Sequence, residues 1–330
     1  VNWEHVVSVS GGKDSTATYL LAMERRERTG RDFIAVFADT GHEHEWTYDF
    51  VRALAGKTGG PEPIWVKADF STDMARKREY MSRVWPAEGV PQAQVDRAVE
   101  LLHPTGNPFL DLCMMKGRFP SSGRRFCTDF LKIMPMFVGV QRPLLEAGLT
   151  LISWQGVRAE ESLARADLPK WQRLNPVPYS MPKKIHALAE GWRAFAYRPL
   201  IAWLTHEVFE FHTRHGIEWN PLYDNGMHRV GCFPCIMVSK DELLAIAQRF
   251  PGAIDRLEEW EAIVGSVAKR GVSSFFSHDK TPGPHKLDLS LPSPNVRAVV
   301  DWSRTGRGGK QYELLLADMG TSCTAWGACE

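Results

Sequence analysis

The sequence predicts an α/β fold: a Rossmann-like, doubly wound parallel sheet with a helical insertion and a cysteine-containing C-terminal region. Three observations point there. Short apolar runs of strand length alternate with segments of helical periodicity over the first 70 residues, as in a parallel sheet with helices on both faces. The first run leads into a glycine turn and a helix start, Ser10-Gly11-Gly12-Lys13-Asp14-Ser15. The run at residues 149–154, Leu-Thr-Leu-Ile-Ser-Trp, is mostly apolar, as buried parallel strands are. With 330 residues, 44% hydrophobic, a sizeable core is available.

Residues 5–10 form the first strand, rich in valine. Residues 15–28 are helical, with Ala17, Leu20, Leu21 and Met23 on or near one face. A second strand over 33–38, a second helix over 43–54 and a third strand over 63–66 follow. From 74 to about 103 the chain is polar and helical, an insertion (about 74–125) within a nucleotide-binding domain of residues 1–230. Residues 149–154 are the fourth strand. Helices follow over 205–215, whose Thr205-His206-Glu207 start suits capping, 241–250 and 254–268. Residues 271–294, rich in Pro, Ser and Lys, are read as a loop within a C-terminal region of residues 231–330.

The glycine turn is built to hold phosphate. Glycines let the backbone approach phosphate oxygens, and the free amides at the following helix N-terminus face the anion. Lys13 adds positive charge, and Ser10 and Ser15 add hydroxyls. The spacing is not that of the common GxxxxGK[ST] loop. Asp14 is unusual at an anion site: it either holds a magnesium ion or orders the loop. The net charge of +1 gives no global basic field. No stretch approaches the ~20 apolar residues of a membrane span. Without a basic-then-apolar leader, a cytoplasmic location is expected, and the six cysteines are read as ligands, nucleophiles or core thiols rather than disulfides.

The loop resembles the SGGxDS signature of ATP pyrophosphatases in the adenine-nucleotide alpha-hydrolase superfamily. The PAPS (phosphoadenosine phosphosulfate) reductase-like branch is similar over nearly the whole chain. Phe37-Ala38-Asp39-Thr40-Gly41-His42-Glu43 resembles that branch's DTGxxxxE-type segment, which implies a ribose or metal role for Asp39, with Thr40 and Gly41 beside it. Gly156-Val157-Arg158-Ala159-Glu160-Glu161-Ser162 resembles its GxRxxES segment, which implies Arg158 as a phosphate or sulfate partner; a salt bridge to Glu161 is the alternative. Arg125 to Pro135 resembles its cysteine–lysine–proline motif, and Asn220-Pro221-Leu222-Tyr223 with Arg229 to Cys235 its CxxC segment. The pattern is similar to phage- and bacteria-encoded PAPS reductase-like proteins and to the sulfurtransferase subunit of DNA phosphorothioation systems. It departs from assimilatory reductases, which lack the full Ser-Gly-Gly-Lys-Asp-Ser loop and end in Glu-Cys-Gly.

The resemblance implies ATP, or PAPS or APS, as the nucleotide, with Mg2+ neutralising its phosphates. It implies a [4Fe–4S] cluster on Cys127, Cys232 and Cys235, with zinc as the alternative metal. Cys113 is favoured as fourth ligand. Cys323 and Cys329 are then a persulfide carrier or attacking thiolate, making them catalytic candidates with Lys13 and Asp14. The basic loop containing Arg304, Arg307 and Lys310 would close over nucleotide phosphates or hold a nucleic-acid backbone. The expected partners are an adenine nucleotide, an anionic sulfur acceptor or donor (nucleic acid among the options), a sulfur-donor or reductant protein, and a second copy as homodimer. The functional expectation is an ATP-pyrophosphatase-type sulfur enzyme. The alternatives are a sulfite-forming reductase and a non-catalytic nucleotide- and nucleic-acid-binding module.

Overall fold

The computed structural model describes residues 2–306, apart from 287, 289 and 292. The strands are β1 (Trp3–Val9), β2 (Ile34–Asp39), β3 (Ile64–Lys67), β4 (Thr150–Trp154), β5 (Trp171–Leu174) and β6 (Arg193–Tyr197). They form one six-stranded sheet in the order β3-β2-β1-β4-β6-β5. Every pairing is parallel except that of β5 with β6. The two central strands are buried on both faces: Val6, Val7, Leu151 and Ile152 are all inaccessible to solvent. β5 and β6 are not among the strands expected from the sequence. β5, Trp-Gln-Arg-Leu, has a single buried residue and no apolar run, whereas β6 carries a short one, Ala-Phe-Ala-Tyr, after an exposed arginine.

Helix α1 (Lys13–Thr29) starts at Gly12 without a side-chain cap and ends at Gly30, in the left-handed region. α2 (Glu45–Thr58) is capped by the His44 ring, which accepts from the Trp46 amide. The insertion supplies α3 (Ser71–Val84), α4 (Gln92–Leu101) and α5 (Pro108–Lys116). These helices share one apolar core with the C-terminal helices: Met74, Met81, Val95 and Leu112 cluster with Leu243, Leu257, Val264 and Val299. Leu222, Met227, Val230, Phe233 and Val238 lie in the same core, so packing is continuous across 230/231, where the sequence reading places a boundary.

Between Thr128 and Glu146 the chain is one helical run containing two π-helical stretches, Thr128–Ile133 and Phe137–Gln141. Pro135 and Pro143 lie within this run and lack the amide that a regular α-helix requires. π turns tend to mark functional sites, and Lys132 sits in the first.

Strand order reverses at β1, which has β2 on one side and β4 on the other. A ligand crevice forms at such a switch point, outside the carboxyl ends of the strands. The exits of β1 and β4 approach closely there. A Cβ on Gly156 would lie 2.9 Å from the Asp14 carbonyl carbon and oxygen and 3.0 Å from the Ser15 amide nitrogen. Because those contacts are backbone, Gly156→Ala is expected to cost about 1–3 kcal/mol, read as a lower melting temperature. Gly252→Ala, with nothing within 4 Å of the added methyl, is the control.

Candidate nucleotide and thiol site

The loop after β1 is braced from both sides. Gly11 has φ +79°, and a side chain there would meet Thr47 Cγ2 at 2.8 Å, so the turn requires glycine. The Ser10 amide donates to Ser15 Oγ at 3.1 Å, and Ser15 Oγ donates to the Gly12 carbonyl at 3.0 Å. The Asn220 side-chain amide donates to the Gly11 carbonyl at 3.3 Å and to Thr47 Oγ1 at 3.1 Å. At the start of α1 the Lys13 amide donates to the Tyr223 hydroxyl at 3.0 Å. The His212 ring meets the Lys13 carbonyl through Nε2 at 2.8 Å.

Asp14 is buried and takes the Arg158 guanidinium, with Nε 2.5 Å from Oδ1. Lys13 Nζ lies 3.0 Å from the other oxygen, too poorly aligned for a hydrogen bond. Arg158 also pairs with Glu160, and its amide donates to Glu161 at 3.0 Å. Burial opposes the Arg158 charge, but the Asp14 carboxylate and the neighbouring glutamates outweigh it and raise its pKa. Arg158 is therefore engaged in fixing the loop to the exit of β4.

The second loop is equally constrained. Asp39 Oδ1 accepts from the Gly41 amide at 2.9 Å and from the Tyr48 hydroxyl at 2.8 Å. Thr40 Oγ1 donates to Glu43 at 2.6 Å. Burial raises the Glu43 pKa, while Thr40 and Lys132 pull the other way. His42 stacks on Phe109, with centroids 4.3 Å apart, and its Nε2 lies 2.8 Å from the Pro234 carbonyl. Burial, reinforced by Arg256, pushes the His42 pKa down to about 3.

The CxxC segment is tied to this loop. The Phe233 amide donates to the His42 carbonyl at 2.6 Å, and Cys232 Sγ lies 3.9 Å from Thr40 Oγ1. Cys127, Cys232 and Cys235 all act electrostatically on the Lys132 ammonium. Burial opposes that charge, but Cys232, Glu43 and the other thiols outweigh it and raise the Lys132 pKa. Burial, helped by Cys235, pushes Cys127 up to about 11, with Lys132 opposing, and Cys232 moves the same way. A soft metal matches these donors chemically. Yet among the described residues no group of three or more His, Cys, Asp or Glu side chains is arranged to hold a metal ion. Cys113 is fully buried in the helical core, among residues such as Leu112 and Phe109, where burial, reinforced by Cys127, raises its pKa. The ligand set expected for a cluster or zinc is thus not assembled here.

One cavity joins the two halves of the site. Ser8 to Ser10 and Ser15 line it with Phe37, Ala38, Glu43, Lys132, Met136, Gly156 and Gly231. An adjoining cleft is formed by Lys13, Arg158, Glu160, Tyr223, His228 and Arg229. Arg304 is exposed, pairs with Asp301 at 3.3 Å and lines neither. Arg307, Lys310, Cys323 and Cys329 lie outside the described residues. The sequence reading did not single out Lys132, Glu43, Gly156, Asn220 or Tyr223 as site residues. All five stood inside quoted motifs, but only packing shows which of their groups meet at the first loop.

Residues 4–238 match the family model described as the phosphoadenosine phosphosulfate reductase domain. The chain belongs to this family. Among its relatives is an uncharacterised 37.8 kDa protein of Escherichia phage 186, 41% identical over 95% of this chain and 92% of the relative. A nin-region protein, ORF290, of phage lambda is 29% identical over 84% of this chain and 78% of its own length. The adenosine 5'-phosphosulfate reductase of Allochromatium vinosum is 34% identical over 28% of this chain and 31% of its own. A phosphate complex of the PAPS reductase of Candida auris superposes with TM-score 0.37 at 18% identity, covering 70% of this chain and 82% of that one. Among the described residues no helix is long and apolar enough to cross a membrane.

Asp14→Ala would leave the Arg158 charge buried with its main partner gone, and should cost about 3–5 kcal/mol in denaturant unfolding. Acid should destabilise the fold through His42. Between its ordinary pKa of 6.5 and its folded value of about 3, the unfolded chain holds a proton that the native protein refuses, so stability falls as pH drops through that window. Melting curves from pH 7.5 to 4.5 should show a shallower acid-side decline for His42→Phe than for the wild type.

Proposed function

We propose that this chain is an enzyme of sulfur metabolism that binds an adenine nucleotide at the loop after β1 and brings its reactive phosphorus or sulfur to the thiols at the second loop. The observation that carries this reading is the shared cavity: Ser10 and Ser15 of the phosphate-type loop, Lys132 beside the thiols, and Gly231, next to Cys232, line the same space. Magnesium would accompany the nucleotide phosphates.

In the first form of the reading the nucleotide is ATP. An acceptor oxygen attacks the α-phosphorus, pyrophosphate leaves, and a sulfur nucleophile from a donor protein then displaces AMP from the activated acceptor. The complete Ser-Gly-Gly-Lys-Asp-Ser loop supports this form, since it offers amides and a lysine to a pyrophosphate group. In the second form the nucleotide carries the sulfur as a sulfate joined to its 5'-phosphate in a mixed anhydride. A Cys232 or Cys235 thiolate attacks that sulfur and expels the nucleotide phosphate. The other thiol then attacks the sulfur-bearing cysteine, leaving a disulfide and sulfite, and a dithiol reductant restores both thiols. The CxxC pair beside the cavity supports this form, as does the local likeness to the Allochromatium reductase.

Purified protein given Mg-ATP and candidate acceptors is expected to release pyrophosphate and AMP. Sulfite from PAPS or APS, with no pyrophosphate from ATP, selects the second form. No turnover of any of these nucleotides overturns the proposal. Lys13→Ala should lower kcat/KM by about 10²-fold, the scale of losing a preorganised charge at a developing anion.

A further inference from the structure

The Lys13 amide heads α1, where a bound phosphate would accept its hydrogen bond, yet that bond goes to the Tyr223 hydroxyl at 3.0 Å. The Lys13 ammonium lies over the same ring, 5.3 Å from its centroid. Tyr223 also lines the cleft with Lys13, Arg158 and Arg229. A neutral phenol oxygen is a weaker acceptor than an anionic phosphate oxygen, and the hydrogen bond to the anion is the stronger by roughly twofold.

Tyr223 is not isolated from the thiols. It lies on a strap that crosses the carboxyl edge of the sheet. Asn220 holds the strap to Gly11 and Thr47, Thr47 Oγ1 donates to the Val230 carbonyl at 2.9 Å, and the Phe233 amide then donates to His42 at 2.6 Å. The strap ends in Cys232 and Cys235. One continuous segment therefore touches the phosphate-type loop at one end and carries the thiols at the other.

We propose that Tyr223 holds the phosphate seat at the head of α1 in the free protein and yields it when a nucleotide binds, so that occupancy is relayed along the 220–235 strap to Cys232 and Cys235. This rests on the reading of the loop as the nucleotide site. The ligand that displaces Tyr223 is one with a terminal or bridging phosphate, and adenosine alone has nothing to offer the Lys13 amide. Tyr223 is in this sense a positioning residue, acting on the thiols through the strap.

The test compares wild type with Tyr223→Phe. The variant keeps the ring and its edge contact with Phe209, so its melting temperature should fall by no more than the loss of one hydrogen bond allows. Affinities for ATP, adenosine 5'-phosphosulfate, inorganic pyrophosphate and adenosine are measured by calorimetry. Iodoacetamide alkylation at Cys232 and Cys235 is timed by peptide mass spectrometry, with and without each ligand. Tyr223→Phe should bind phosphate-bearing ligands about three- to tenfold tighter, the scale of one competing hydrogen bond, with no gain for adenosine. In wild type those ligands should change the alkylation rate at least threefold, and the ligand-free variant should already show the changed rate. Wild-type binding with equal or weaker affinity in the variant overturns the proposal and leaves the nucleotide site standing. So does an alkylation rate indifferent to ligand. A wild type that binds none of the phosphate-bearing ligands removes the proposal and the nucleotide reading together.

Discussion

The buried ion pair between Asp14 and Arg158 is the constraint on which the rest of the site depends. Removing two charges from water costs several kcal/mol apiece unless geometry and further hydrogen bonds compensate. Here the guanidinium meets the carboxylate at 2.5 Å and finds Glu160 as well. Asp14 belongs to the first turn of α1 and Arg158 to the exit of β4, the two walls of the switch-point crevice. The pair sets how closely those walls approach, and Gly156 is the residue small enough to let them. An acidic residue in this loop is then no paradox: Arg158 neutralises its charge, and Lys13 lines the neighbouring cleft.

A second set of charges organises the other wall. Lys132, set in a π-helical stretch, keeps its ammonium where burial alone would favour the neutral form, because Cys232, Glu43, Cys127 and Cys235 surround it. Burial in turn pushes the Cys127 and Cys232 thiols up, with Lys132 opposing. A negative ligand or a developing thiolate would therefore find a cation already in place. What brings these groups together is the helical core. The insertion and the C-terminal helices, far apart in sequence, bury Met81, Leu112, Leu257 and Val299 in one cluster and so seat the CxxC segment against the carboxyl edge of the sheet.

Much of this was legible residue by residue. The glycine turn, the four apolar strands and the Asp39, Arg158 and CxxC segments each carry a local signal: periodicity, glycine where the backbone must turn, or thiols at short spacing. Other features had none. β5 lacks an apolar run, being exposed on part of its surface. Cys113 has the same chemistry in sequence as Cys127, and only packing shows that it lies inside an apolar cluster. Arg158 reads as an anion partner in the sequence, and only the structure shows that it pairs with Asp14. Tyr223 and Asn220 carry neither charge nor metal-ligand character, so nothing local could mark them as clasps on a loop some two hundred residues away.

Sequence by itself determined the fold class, the phosphate-type loop and the set of chemically capable side chains, because strand periodicity, backbone freedom at glycine and functional-group identity are properties of neighbouring residues. Tertiary structure decided which of those groups meet. Whether an arginine faces a ligand or a carboxylate, and whether a thiol faces a lysine or a leucine, depends on contacts between distant segments, and burial then sets the charge each group carries.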